Sequence, residues 1–212
     1  LESHPDCSMT VHAAAVQNDR GELVNRNLMR PYRGDRDLSP AELVDKAGSF
    51  PFGAMLLRRE VVEKLPDWYF RCPVGDRPLE LLSALKGYCH YADRFDSVYR
   101  FHGSGSWTEE MKSGDFKKKQ DRYARAMREL YRAFDRESGG RYHREAVSAA
   151  RRVYFLTRVN LRDYGEIFSP RNRRYYRELP LRDRFFIRAE RELPFLFAGL
   201  RRVRDRIFGQ ER

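Results

Sequence analysis

The chain has 212 residues, of which 41% are hydrophobic and 34% are charged, and its formal net charge is +11. This composition suffices for a packed core, so we expect a globular protein. No apolar stretch approaches the ~20 residues that a membrane-spanning helix needs, and no charged and apolar leader opens the chain. Because LESHPDCSM lacks an initiating Met, we expect a piece of a longer protein.

The positive charge is concentrated in the second half of the chain. Residues 1–112 carry 15 Lys and Arg against 17 Asp and Glu, whereas residues 113–212 carry 27 against 14. The net charges of the two halves are therefore −2 and +13. Such asymmetry predicts two regions, of which the second faces an anionic partner.

The first region alternates strand-like and helix-like segments. Apolar and β-branched runs bounded by turn residues predict strands, and Ser or Asp followed by Pro predicts helix starts. The expected order begins with a hairpin formed by 9–19 and GELVNRN, followed by a helix over SPAELVDKAG that is capped by Ser39. A strand over PFGAMLLRR and a short helix over REVVEKLP come next. The region ends with a helix from Asp76 to Lys86, stopped by Gly87, and with two strand-like runs around a turn in 88–102.

The second region has a helical pattern. Residues 115–137 repeat Tyr, Met, Leu and Phe at helical spacing, and Gly139-Gly140 ends the run. A second helix is expected over roughly 142–163, followed by shorter helices broken by Pro170, Pro180 and Pro194. The predicted fold is therefore α/β over 1–112, followed by an all-α basic helical region over 113–212.

The three cysteines, Cys7, Cys72 and Cys89, lack metal-ligand or CxxC spacing. Their odd number and spacing support neither a disulfide framework nor a zinc site. We therefore expect a reducing, cytoplasmic location.

Four sequence elements between residues 51 and 107 stand in a recognisable order. They are Arg58-Arg59-Glu60, Leu65-Pro66, Gly75-Asp76, and Tyr99-Arg100-Phe101-His102 running through Gly103-Ser104 to Trp107. In this order they resemble the acceptor-side half of a bacterial family-two glycosyltransferase of the GT-A fold. The resemblance implies a partial, Rossmann-like transferase fold that lacks its N-terminal nucleotide-binding half. It also implies inverting transfer of a sugar from a nucleotide-sugar donor to a saccharide or lipid-linked acceptor.

The resemblance assigns expected roles to individual residues. Asp76 would be the general base that deprotonates the acceptor hydroxyl, although an N-cap of the following helix is an alternative role, compatible with the first. Substrate binding would fall to Gly75, Arg77, Gly103, Ser104 and Trp107. His102 would join a divalent metal, Mg or Mn, in the full-length protein, or else be a surface histidine.

Two expected motifs of the family are displaced or absent. The Asp-x-Asp sequence at Asp35-Arg36-Asp37 lies in a Gly/Pro-flanked loop, so we expect a solvated turn. The Gln-x-x-Arg-Trp motif is missing, which argues against a processive polysaccharide synthase. The other histidines, His4, His12, His90 and His143, show no partner pattern and are expected to be structural.

The basic helical region has three interpretations: solvated helix faces, a nucleic-acid surface and a membrane-surface helix. Its arginines are interleaved with Asp and Glu and form no recognised nucleic-acid motif, so nucleic acid is not the expected partner. FLFAGLRRVRDRIFG, residues 195–209, alternates Phe, Leu and Ile with arginines, as an interfacial helix on an anionic membrane does. The competing, non-enzymatic hypothesis is a helical interaction module on a degenerate transferase fold.

Overall fold

The structure is a computed structural model, and it describes residues 1–18, 20–23, 29–46, 50–100, 110–111, 114–193 and 195. Over these ranges the chain is mixed α/β, which confirms the predicted class. It divides into two compact units, Leu1–Tyr154 and Phe155–Arg212. The charge distribution divides the chain at residue 112, whereas the first unit continues through the first long helix of the basic half.

The sheet and most helices belong to the first unit. The strands are β1 (Cys7–Gln17), β2 (Arg36–Leu38), β3 (Met55–Leu57) and β4 (Tyr88–Arg100). The helices before β4 are α1 (Pro40–Lys46), α2 (Arg59–Val62), α3 (Asp67–Phe70) and α4 (Asp76–Ala84), and those after it are α5 (Phe116–Glu137) and α6 (His143–Asn160). A 3₁₀ turn over Phe52–Ala54 leads into β3.

The two long strands form the centre of a mixed sheet with the order β2-β4-β1-β3. β1 and β4 are parallel, while β2 pairs antiparallel with β4 and β3 antiparallel with β1. A parallel pair covered on both faces requires apolar residues without alternation, and successive residues of β1 are accordingly buried or half-buried. The strand β1 was predicted as a buried strand, and this is confirmed.

β4 is one bulged strand, so the prediction of two runs around a turn was wrong. His12 of β1 pairs with Ala92 and Ala13 pairs with Phe95, so β4 carries extra residues between these two pairs. Asp93 lies in this bulge and accepts hydrogen bonds from Arg30 Nε at 2.6 Å and from the Gly34 amide at 2.7 Å. The Arg30 bond holds the pKa of Asp93 well below its usual range. Asp93 therefore anchors the loop that contains Arg30 and Gly34, and the chain does not reverse its direction at this point.

Two of the three residues of the Asp-x-Asp sequence lie in the sheet, which corrects the expected turn, while Asp35 and Asp37 are exposed to solvent as expected. Arg36–Leu38 forms β2 against β4, because this edge of β4 offers free backbone groups for pairing. Asp35 accepts a hydrogen bond from the Asp93 amide at 2.7 Å, and Asp37 lies 2.7 Å from His90 Nδ1. The two carboxylates are thus held by different partners.

The second strand of the predicted hairpin falls largely on residues outside the described ranges. Two antiparallel bridges mark its ends, from Gln17 to Leu23 and from Ala14 to Met29. Residues 24–28 lie between these ends and are not described.

Helix termini follow the predicted signals. Ser39 and Glu42 form a reciprocal capping box at α1, with the Ser39 amide donating to Glu42 at 3.0 Å. α5 ends at Glu137, and Gly139 and Gly140 follow with positive φ. Gly87 after α4 is required for a steric reason, because a Cβ there would lie 2.1 Å from the Asp6 carbonyl oxygen.

The core of the first unit joins the sheet to four helices. Met9, Val11 and Tyr91 of the central strands are fully buried. α5 and α6 add their apolar faces to this cluster, which also includes residues of α1 and α4. The helical contributors are Leu43, Val44, Leu81, Ala84, Met127, Leu130, Tyr131, Phe134, Ala146 and Ala149. The helical spacing in 115–137 therefore reflects packing against the sheet.

The second unit has a small core of its own. Its helices are α7 (Tyr164–Ile167), α8 (Arg173–Glu178) and α9 (Leu181–Glu192), with a 3₁₀ turn over Pro170–Asn172. Phe155, Ile167 and Tyr175 are buried together, and Ile187 of α9 packs against them. Pro170 and Pro180 stand at the starts of helical segments, as a residue without an amide donor should.

Candidate active site

Asp76, which was predicted as the N-cap of α4, is instead the first residue of the helix. Gly75 occupies the cap position, with φ −92° and ψ −29°, and as a glycine it contributes no side-chain cap. Asp76 Oδ1 accepts a hydrogen bond from the Arg77 amide at 2.7 Å. The carboxylate therefore satisfies one donor of the first turn, and its charge favours the positive end of the helix dipole.

The second carboxylate oxygen of Asp76 accepts no hydrogen bond from the described part of the chain. Asp76 itself is half-buried. One oxygen is thus held in place by the start of α4. A general base would need the other oxygen to reach the acceptor hydroxyl, so the catalytic role of Asp76 stays a prediction.

A thiol and a phenol interact electrostatically with Asp76. Burial raises the pKa of Cys72, and the negative charge of Asp76 raises it further. Burial also raises the pKa of Tyr123, to which the Tyr131 and Asp76 charges add. At neutral pH the Cys72 thiol and the Tyr123 phenol therefore remain protonated.

Arg77 extends beneath the surface and binds internal groups. Its Nε donates to the Tyr131 hydroxyl at 2.8 Å and its Nη1 donates to the Leu43 carbonyl at 2.8 Å. The guanidinium also binds the Val44 carbonyl and the Glu80 carboxylate. Arg77 therefore ties α1, α4 and α5 together, while its role in substrate binding stays a prediction.

The C-terminal end of α1 is held by a second arginine. Arg152 Nη1 donates to Asp45 Oδ1 at 2.9 Å and also binds the Asp45 carbonyl. The last carbonyls of a helix have no partner within the helix. Here two arginines donate to the carbonyls of the three successive residues Leu43, Val44 and Asp45. Cationic side chains at this end are also favoured by the helix dipole.

Glu80 is the buried partner of Arg77 and titrates near neutrality. Only 6% of its side chain is exposed. Burial raises the pKa of Glu80 to about 7, although the Arg77 charge and hydrogen bond oppose this shift. The usual glutamate pKa lies near 4.5, so the folded protein binds this proton more tightly than the unfolded chain does.

The raised pKa predicts that folding stability contributed by Glu80 falls as pH rises. This contribution is fully present below pH ~4.5 and is lost between pH ~4.5 and ~7, by about 3 kcal/mol in total. Glu80→Gln should remove that part of the pH dependence, because the amide does not titrate. Urea unfolding of both proteins across pH 4.5 to 8 measures it.

Glu42→Gln provides the control for this experiment. Hydrogen bonds from Ser39 lower the pKa of Glu42, so its stabilising effect is lost only as pH falls below the usual glutamate range. Between pH 5 and 8 the free energy of unfolding of Glu42→Gln should therefore change with pH as that of the parent does. If the free energies of unfolding of the parent and of Glu80→Gln change with pH in parallel, the raised pKa of Glu80 would be contradicted.

The remaining predicted site residues are only partly described. Gly75 is exposed, and the Phe52 ring would lie 3.7 Å from a Cβ placed there, which is ordinary contact. His102, Gly103, Ser104 and Trp107 lie outside the described residues. Their roles stay predictions.

The described residues offer no cluster for the expected divalent metal. No group of three or more His, Cys, Asp or Glu side chains that could hold an ion occurs among them. Asp35 and Asp37 are engaged separately with the Asp93 amide and with His90. The metal assigned to His102 therefore stays a prediction, and no step below depends on it.

Cys72, Tyr123, Tyr131 and Glu80 were not singled out as site residues by the sequence analysis. Tyr123 and Tyr131 are eight residues apart in α5, so both lie on the face that carries Met127. That spacing placed them on the packed side of the helix. It gave no indication that this side meets Arg77, which is 54 residues from Tyr131 in the chain.

Among the described residues, no helix combines the length and the apolar character that crossing a membrane requires. Comparisons of the chain with protein-family models, with curated proteins and with solved structures gave no match.

Proposed function

We propose that this chain is the acceptor-side part of an inverting glycosyltransferase, with Asp76 as the general base. The observation that carries the proposal is the half-buried Asp76 carboxylate, of which one oxygen is fixed by the Arg77 amide at 2.7 Å. The other oxygen accepts no hydrogen bond from the described residues. The partial GT-A fold, with the donor site in a preceding nucleotide-binding half, is part of the same proposal.

In the proposed reaction the acceptor hydroxyl gives its proton to Asp76. The acceptor oxygen forms a bond to the anomeric carbon, and the bond from that carbon to the diphosphate breaks. The nucleoside diphosphate leaves with the electron pair, and attack from the opposite side inverts the anomeric centre. A carboxylate beside the reacting carbon also stabilises the positive charge that develops on the sugar ring.

The partners follow from this proposal. They are a nucleotide-sugar donor, a saccharide or lipid-linked acceptor, and an anionic membrane surface reached through 195–209, a segment that lies outside the described residues except for Phe195. We propose a cytoplasmic location at the inner face of the membrane. The free state of Cys7, Cys72 and Cys89 is compatible with a reducing compartment.

The alternative is a non-catalytic interaction module on a degenerate transferase fold. The observation in its favour is the set of hydrogen bonds from Arg77 to Tyr131, Leu43 and Val44. These bonds give the Gly75-Asp76-Arg77 segment a role in stabilising the fold that requires no catalysis. Under this alternative Asp76 would serve the α4 terminus and nothing else.

We expect the 212-residue chain by itself to bind no nucleotide sugar. The proposal assigns the donor site to a nucleotide-binding half that this chain lacks, so titration calorimetry with UDP-sugars and GDP-sugars plus manganese should show no heat of binding. A protein that includes the nucleotide-binding half should bind one donor and transfer its sugar.

Tight donor binding by the 212-residue chain would contradict the assignment of the donor site. Donor binding without transfer to any saccharide or lipid-linked acceptor by the longer protein would favour the non-catalytic alternative.

A further inference from the structure

Helix α9 has apolar residues on two opposite faces. Ile187 packs against the core of the second unit. Leu181 and Phe185 are four residues apart and form one stripe along α9, Phe186 lies beside it, and Leu193 directly follows the last residue of the helix. At 100° per residue, Phe185 lies about 160° from Ile187 around the helix. The stripe therefore points away from the core that α9 covers.

This outward stripe is exposed. The exposed fractions are 76% for Leu181, 68% for Phe185, 45% for Phe186 and 54% for Leu193. A helix on the surface of a water-soluble unit ordinarily carries polar residues opposite its buried face. A row of large exposed apolar side chains instead marks an interaction surface. We call these four residues the α9 outer face.

The surroundings of the α9 outer face are positively charged. Residues 155–193, which are described throughout, carry ten Arg and no Lys against six Asp and Glu, a net charge of +4. The Arg182 guanidinium lies over the Phe186 ring, 5.6 Å from its centroid, and Arg188 is exposed on the other flank. Of the acidic residues of α9, Glu190 pairs with Arg162 at 3.2 Å, while Asp183 and Glu192 are exposed.

We infer that the α9 outer face docks on the anionic surface of a lipid bilayer. Phe and Leu enter the boundary between headgroups and acyl chains, and arginines beside them bind lipid phosphates while their stems stay on apolar surface. The twelve residues of α9 extend about 18 Å, so the helix can lie flat in this interface.

Charge and apolar surface together favour an anionic bilayer over two other possible partners, a second copy of the chain and a nucleic acid. Two copies would bring together two units whose described residues 155–193 each carry a net charge of +4, and like charges repel. A nucleic acid would use the arginines and leave the apolar stripe uncovered. An anionic bilayer satisfies both the stripe and the arginines.

The inference depends neither on glycosyl transfer nor on the segment 195–209. Vesicle binding is measured without a donor or acceptor, and α9 is changed in the full chain with that segment present. Failure of the membrane inference therefore leaves the proposed sugar transfer by Asp76 untouched, and failure of sugar transfer leaves the membrane inference untouched.

The experiment is co-sedimentation with vesicles of phosphatidylcholine alone or of phosphatidylcholine mixed with phosphatidylglycerol. The parent chain should bind the mixed vesicles and bind neutral vesicles much more weakly. Phe185→Ser combined with Phe186→Ser should weaken binding by about tenfold or more, because two apolar anchors are lost. The matched control is Phe52→Ser with Phe70→Ser, whose side chains are 61% and 71% exposed in the first unit and should not affect binding.

A second pair of variants tests the arginines. Arg182→Gln with Arg188→Gln should weaken binding to the mixed vesicles by about fivefold per arginine at low salt. Arg122→Gln with Arg125→Gln removes the same charge from exposed positions of α5 and should have a smaller effect.

Three results would overturn the inference. They are absence of binding to the mixed vesicles, equal binding by the Phe185/Phe186 variant and the parent, and equal binding of the parent to neutral and anionic vesicles. Gel filtration that shows a dimer lost in the Phe185/Phe186 variant, without vesicle binding, would assign the face to a second copy.

Discussion

Sugar transfer is expected to fall on the order of 10²-fold or more when Asp76 is replaced by asparagine in the protein that includes the nucleotide-binding half. The asparagine side chain keeps an oxygen for the Arg77 amide, so the contact at the start of α4 is preserved. It cannot accept the proton of the acceptor hydroxyl. Donor binding should stay nearly intact, since Asp76 acts on the acceptor. Initial rates and donor affinity, measured separately, test both statements.

Asp67→Asn is the matched control for this variant. Asp67 stands at the first position of α3, as Asp76 stands at the first position of α4, and both belong to the same unit. The control should retain transfer and change stability only slightly. Near-normal transfer by the Asp76→Asn protein, with a lowered melting temperature, would reduce Asp76 to a structural residue.

Stability is expected to fall by about 3–5 kcal/mol when Arg77 is replaced by methionine. Only 14% of the Arg77 side chain is exposed, so the surrounding groups cannot turn to water for new partners. The substitution leaves the Leu43 and Val44 carbonyls without their donor and removes the charge that Glu80 faces. Urea unfolding at pH 8 measures the loss, because Glu80 is more fully ionised there than at pH 5.

The second substitution Glu80→Gln should recover part of this loss at pH 8. A neutral amide in the place of an unpaired carboxylate removes the largest electrostatic penalty, whereas the carbonyls of α1 remain without a donor. Arg128→Met is the control, since Arg128 is 55% exposed on α5 and its Nε lies 3.8 Å from the Glu129 carboxylate, a loose surface pair. A loss below about 1 kcal/mol for Arg77→Met, similar to that of the control, would show that the buried network is not important for stability.

Substitutions at the neighbouring residues Asp76 and Arg77 are thus expected to change different properties of the protein. Asp76→Asn should change the rate with little effect on unfolding, whereas Arg77→Met should change unfolding first. A folded Arg77 variant that also loses acceptor affinity would support the substrate-binding role that the resemblance assigned to Arg77.

The sequence by itself determined the features that depend on near neighbours in the chain. Apolar residues at helical spacing predicted α5 and α6, and Gly139-Gly140 predicted where α5 ends. Ser39 with Pro40 predicted the start of α1, and Asp76 predicted the start of α4 to within one residue. Each signal rests on contacts within about four residues, which is the range of helix hydrogen bonds and caps.

Tertiary structure decided every feature that joins distant segments. The prediction of a turn within 88–102 failed because β4 pairs with β1 along its whole length and carries a bulge at Asp93, whose carboxylate is held by Arg30 and Gly34. Likewise, the sequence around Arg77 indicates only a polar residue at a helix start, yet three of its four partners lie 33, 34 and 54 positions away in the chain. A buried guanidinium must find acceptors wherever folding brings them, and local sequence patterns carry no record of which distant groups those are.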